Sequence, residues 1–93
     1  MLYMVVERFT RGPVPVYERA ASQGRLLPDG LEYVDSWVDE SLDRCFQLMR
    51  TDDPRLFDEW TARWKDLTEF DVVPVIGSAE AAERVRKDGS NAS

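Results

Sequence analysis

Residues 2–9, LYMVVERF, place Leu2, Met4 and Val6 on one side of an extended chain and Tyr3, Val5 and Phe9 on the other. A strand that is apolar on both sides has to be covered on both, so it belongs in the middle of a sheet with a further layer against each face. That is a heavy demand on a chain of 93 residues, near the small end of what can bury an adequate core without disulfides or metals. The single cysteine allows no internal disulfide.

The cover has to come from the rest of the chain. Arg11, Gly12 and Pro13 interrupt the extended run, and from Pro15 the residues Val16, Tyr17, Ala20, Ala21 and Leu27 recur at helical spacing, with Gly24 weakening or ending the helix. Pro28, Asp29 and Gly30 signal a turn. Leu31 to Asp39 and Arg44 to Thr51 alternate as two strands joined near Asp43. Asp53 then suits an N-cap, with Pro54 at the first helical position, and Leu56, Phe57, Trp60, Trp64 and Leu67 share one helical stripe. Phe70 to Ile76, FDVVPVI, reads as the last strand. Ser78 opens a short helix over residues 78–87, and residues 88–93, DGSNAS with Asp88 first, are expected to be disordered.

The order strand, helix, strand, strand, helix, strand is the split β-α-β, or ferredoxin-like, plan over residues 1–77. Right-handed crossovers put the first and third strands of that antiparallel four-stranded sheet in the centre and the second and fourth at its edges. Pro74, which cannot donate to a ladder, fits an edge, and Glu32, Asp35 and Asp39 put charge on the other edge. Two helices cover one face only. The second face of an α+β fold with so apolar a central strand calls for another layer, and a second copy of the chain packed sheet to sheet supplies it.

Charge narrows the partners. A formal charge of −6 and cations that are almost all scattered arginines argue against a nucleic-acid track, which needs a concentrated basic surface. No run is long and apolar enough to span a bilayer, and MLYMVVERF lacks the basic flank and cleavage site of a secretory signal, so a cytoplasmic protein is expected. There is no histidine, CxxC, HExxH, P-loop or GxGxxG, so neither a metal nor a bound cofactor is expected.

The stretches SWVDE, RCFQLM, DEWTARWKDL and FDVVPVIGSAEAA resemble a small bacterial family of unknown function, domain of unknown function family 3303, within the dimeric α/β-barrel superfamily. The resemblance runs from Leu2 to about Ala82 and implies two ferredoxin-like protomers whose sheets join into a barrel enclosing small cavities. Cofactor-free antibiotic monooxygenases, muconolactone isomerases, haem-degrading enzymes and stress-responsive proteins share that superfamily. No catalytic motif of theirs carries over residue by residue, and the absence of histidine removes the usual haem ligand.

The hairpin DSWVDESLDRCFQLM is where a ligand would have to meet the sheet. A four-residue loop from Glu40 to Asp43 opposes Asp39 to Arg44, Trp37 to Phe46, Asp35 to Leu48 and Tyr33 to Arg50 on one face. On the other face it opposes Val38 to Cys45, Ser36 to Gln47 and Val34 to Met49. Burying Asp35 under a helix is costly, which turns Val34, Val38, Cys45 and Met49 to the helices and Tyr33, Asp35, Trp37, Phe46 and Leu48 to the inter-subunit space. The reverse orientation brings Ser36 and Gln47 to the cavity.

Each candidate has a plain alternative. Trp37 suits stacking on an aromatic ligand or packing on Phe46; Ser36 and Gln47 suit positioning a substrate oxygen or satisfying one another. Glu7, on the central strand, is either a buried acid with a raised pKa, fit for general-base work, or the partner of an arginine at the sheet end. Cys45 in a strand interior reads as core, as do Trp60 and Trp64. Two functional classes remain. One is a pocket for a small aromatic or apolar compound with cofactor-independent acid–base or oxygenase-type chemistry, carried by Glu7 or Asp35 and shaped by Tyr33 and Trp37. The other is a non-catalytic structural, interaction or stress-associated module.

Overall fold

A computed structural model describes residues 1–92, with side chains through residue 88. Strand β1, Leu2–Phe9, sits inside the sheet as its pattern demands, followed by α1, Pro13–Gln23, β2, Glu32–Val38, β3, Arg44–Arg50, α2, Leu56–Ala62, β4, Thr68–Val75, and α3, Ser78–Ala92. The sheet is antiparallel in the order β2-β3-β1-β4, the ferredoxin-like arrangement, with Pro74 on the edge strand β4.

Helices α1 and α2 cover one face. Val16, Phe57 and Trp60 meet Tyr3, Val5, Cys45 and Met49 in one buried cluster, closed by Trp64 and Leu67 from the turns after α2. Aromatic edges run through it: Tyr3 to Phe57 at 5.0 Å, Phe57 to Trp60 at 6.4 Å and Trp60 to Phe70 at 5.5 Å between centroids. Each such ring contributes about 2–3 kcal/mol by burial, with a smaller increment from edge contacts. The opposite face carries Met4, Val6, Phe46 and Leu48, which are half-buried, and Trp37, which is 53% exposed; no helix is packed over this apolar row among the described residues.

Local chemistry explains the connections. Gly12 at φ +78° turns the chain into α1, where Pro13 occupies the first turn, and Gly24 at φ +72° ends the helix. The hairpin loop has four residues: the Asp39 N–H donates to the Arg44 carbonyl, and the Asp39 carboxylate accepts from the Asp43 and Arg44 N–H groups and the Ser41 hydroxyl. Leu42 takes a left-handed conformation there, φ +61°. Asp53 accepts the Arg55 N–H at 3.1 Å in a turn that precedes α2, so regular helix begins at Leu56 rather than at Pro54.

Two further expectations are corrected. The sheet carries a bulge between Tyr33 and Asp35, so Tyr33 opposes Met49 and Glu32 opposes Arg50. The extra residue, Val34, flips the alternation; Tyr33 turns to the helix side instead of stacking on Arg50, and Val34 does not pair with Met49. Helix α3 also continues past residue 87 to Ala92, where the expected tail began at residue 88. Ion pairs from Arg84 to Glu80 and from Arg86 to Glu83 support it one turn apart, and Ser93 lies outside the described residues. Apart from the half-buried Ala81, its side chains from Ser78 to Asp88 are exposed.

Candidate functional site

On the helix side of the sheet the packing is uneven. Around Tyr3, Met49, Phe57 and Leu31 it is close and apolar, whereas at the other end of the same face β1, β2 and β3 present Glu7, Ser36, Val38, Cys45 and Gln47. Above these lies the small side chain Ala20 of α1, and between floor and helices a cavity of about 410 Å³ remains, walled by Tyr17, Trp60 and Trp64. A strand-borne polar floor beneath an aromatic wall has the make-up of a small-molecule pocket.

Its most unusual group is Glu7, whose residue is only 8% exposed. Burial pushes the carboxyl up from 4.5 to about 7, against the pull of the Arg25 guanidinium and hydrogen bonds with Cys45 and Gln47. The Gln47 amide, 1% exposed, donates to Glu7 Oε1 at 3.1 Å and accepts at its own Oε1 from Arg25 Nη1. Beside the acid, the Cys45 thiol is pushed up to about 12, by burial first and then by the Glu7 charge, so it is a core thiol and not a nucleophile.

Arg25 reaches this network from the rim. Its backbone is fixed by a double clamp, since the indole Nε1–H groups of Trp60 and Trp64 both donate to its carbonyl oxygen at 2.9 Å. Gly24 at φ +72° and Leu26 at φ +60° bracket it, and Arg63 Nη1 donates to the Leu26 carbonyl at 2.7 Å. A left-handed leucine costs about 1–2 kcal/mol, and those hydrogen bonds over-determine the bend. The side chain then lies flat on Tyr33, with the guanidinium carbon 3.6 Å from the ring centroid. Tyr33 in turn shares a 2.7 Å hydrogen bond with the Ser36 hydroxyl.

The candidates from the sequence therefore divide. Glu7, Ser36 and Gln47 line the cavity, and Tyr33, brought over by the bulge, supports Arg25 beside it. Asp35, Trp37 and Phe46 lie on the open face, where the Asp35 carboxylate accepts the Ser36 N–H at 2.8 Å and Arg44 stands 5.5 Å over Phe46. Glu7 and Asp35 thus lie on opposite faces of the sheet, and the cavity that holds Glu7 lies beneath the helices. Trp60 and Trp64 are core residues that double as cavity wall. Arg25 was missed by pattern reading. A buried acid on a central strand does call for a cation, but nothing in the spacing singles out the one after Gly24.

Among the described residues no group of three or more His, Cys, Asp or Glu is placed to hold a metal ion, and no helix is long and apolar enough to cross a membrane. A family model described as "Domain of unknown function (DUF3303)" matches residues 1–89. No curated protein and no solved structure matches the chain.

Proposed function

From the premise that the chain belongs to the DUF3303 family, a domain of unknown function, we propose that it is a small-molecule pocket protein in which Glu7 gives or takes a proton on an aromatic or apolar compound held against Tyr17, Trp60 and Trp64. The carrying observation is the placement of Glu7: a carboxyl buried on the floor of a cavity of about 410 Å³, with a charge state poised near neutrality. A general acid or base works best when its pKa lies near the operating pH, and burial is the usual means of bringing a glutamate there. The chemistry needs no cofactor on this reading, and Ser36 and Gln47 orient the bound compound.

The open sheet face supports a second part of the reading, a homodimer formed face to face. Across the sheet, Trp37, Phe46 and Val6 form one row and Leu48, Met4 and Val73 the next, while Asp35, Asp71, Arg8 and Arg44 border them. Acidic and basic borders around an apolar centre suit a two-fold contact in which each border meets the opposite charge.

One observation favours a non-catalytic alternative: among the described residues every buried polar side-chain atom has a partner, as a purely structural network requires. Native mass spectrometry of the purified protein, gently sprayed and then collisionally activated, tests assembly and ligand together, and an NMR screen with small aromatic fragments maps any binding. A dimer that releases a discrete small mass, with fragment-induced shifts at Glu7, Gln47 and Trp64, is the expected result. A ligand-free protein whose cavity amides ignore the whole fragment set would move the assignment to an interaction module.

A further inference from the structure

We infer that the compound taken by this cavity is an anion, a carboxylate or phenolate on an aromatic or apolar body, that it seats on Arg25, and that its binding drives a proton onto Glu7. The inference rests on the pocket reading and names the ligand class of that site.

Among the described residues Arg25 is the only cation lining the cavity. Most other arginines are already committed to carboxylates: Arg19 to Asp66 with two hydrogen bonds of 2.8 and 2.6 Å, Arg50 to Glu32, Arg55 to Asp53 and Arg63 to Glu59. Among the described residues Arg25 makes no direct ion pair, and its guanidinium donates only to the neutral Gln47 amide. A guanidinium has five N–H donors in a planar fork that matches a carboxylate, so most of that fork is free to receive one. Its backbone cannot drift, because two indoles hold it, and its plane is set by Tyr33. This is a pre-organised anion seat at the mouth of an aromatic-walled cavity.

A bound anion changes the balance at Glu7. Arg25 is the largest influence favouring the ionised acid, against burial. An anion on Arg25 neutralises that attraction and adds a like charge, so the Glu7 carboxylate takes one proton from solvent, forming an O–H bond while the ligand keeps its charge. The other titratable groups around the cavity are Cys45 from β3, Tyr17 from α1 and Tyr33 from β2; α2 contributes the uncharged Trp60. A cationic ligand is disfavoured because Arg25 stands over the mouth and Gln47 already donates to the carboxylate.

The test uses the full chain and matched probes: benzoate, phenylacetate and 2-naphthoate against their uncharged amides, by calorimetry from pH 6 to 8.5 in two buffers of different protonation enthalpy. The acids are expected to bind better than the amides, with uptake approaching one proton and affinity falling up to about tenfold per pH unit above 7. Glu7→Gln should flatten that pH profile and tighten acid binding at pH 8. Arg25→Gln should weaken acid binding by about tenfold or more and amide binding by much less, so that the preference for acids over amides collapses, with its fold checked by tryptophan near-UV dichroism. Amides that bind as well as the acids, or acid binding without proton uptake, would overturn the anion inference and leave the pocket reading standing. Failure of every probe to bind or to shift a cavity amide would overturn both.

Discussion

Replacing Glu7 by Gln isolates the energetic consequence of burying an acid in so small a core. The folded carboxyl holds its proton up to about pH 7, whereas an unfolded glutamate releases it near 4.5. Between those values the folded chain binds more protons than the unfolded one, so stability falls as pH rises through the window and stays low above it. At 1.36 kcal/mol per unit, the wild-type chain loses roughly 3 kcal/mol between pH 4.5 and 8 through this one group. The amide of the Glu7→Gln variant does not titrate, so that chain should lack the loss while keeping a hydrogen-bonding partner for Gln47. Urea denaturation followed by tryptophan fluorescence, at half-unit steps from pH 4.5 to 8, measures both chains. The lowered carboxyls of Asp39, Asp53 and Asp66 act in both and cancel in the difference. The variant should gain on wild type steadily with pH, by roughly 3 kcal/mol across the range. A difference that stays constant to within about 1 kcal/mol would mean that Glu7 titrates as an ordinary glutamate, and the buried-acid reasoning would fall with it.

Three further outcomes are expected. Trp37→Asp, on the open face, should give a monomer by sedimentation equilibrium with an unchanged far-UV dichroism spectrum, because it puts a charge in the apolar centre of the proposed contact and touches no core. With its thiol pushed up to about 12, Cys45 should react with a disulfide reagent at pH 8 on the order of a thousandfold more slowly than an unfolded cysteine, and labelling should track unfolding. Leu42→Gly should stabilise the chain by about 1 kcal/mol in thermal or urea melts, since the loop holds position 42 at φ +61° and the leucine side chain is exposed.

The fold was legible because its strongest signals are periodic. An apolar central strand, Pro74 on an edge, and the Leu56 to Leu67 stripe each restrict topology, and their restrictions agree. Cross-strand chemistry also fixed most of the hairpin, from Asp39 with Arg44 to Ser36 with Gln47. The bulge at Val34 escaped because a one-residue insertion leaves no compositional mark when the residue it moves, Tyr33, suits either face, and it moved Tyr33 to the other side of the sheet. Strand parity put Glu7 on the face of Tyr3 and Val5 but left open whether it is a buried acid or the partner of an arginine at the sheet end. Its partner was not legible, because Arg25 arrives through a left-handed bend at Gly24 and Leu26, held by two indoles distant in sequence.

The cost of Glu7 bears on what the cavity is for. A domain of this size has a net stability of about 5–10 kcal/mol, so a group that removes roughly 3 kcal/mol at neutral pH consumes a substantial share of it. A structural network does not require that loss: a neutral glutamine at position 7 could bond to Gln47 just as well, and an apolar residue there, with a smaller side chain in place of Arg25, could close the cavity. The aromatic wall, the strained bend that presents Arg25 and the polar floor are likewise each less favourable than simple packing, and all three converge on the same few side chains. Local departures from the most stable solution cluster at functional sites. That convergence on the helix side, rather than the apolar open face, is the ground for the proposal that Glu7 and Arg25 carry the binding chemistry and Trp37 and its neighbours the assembly.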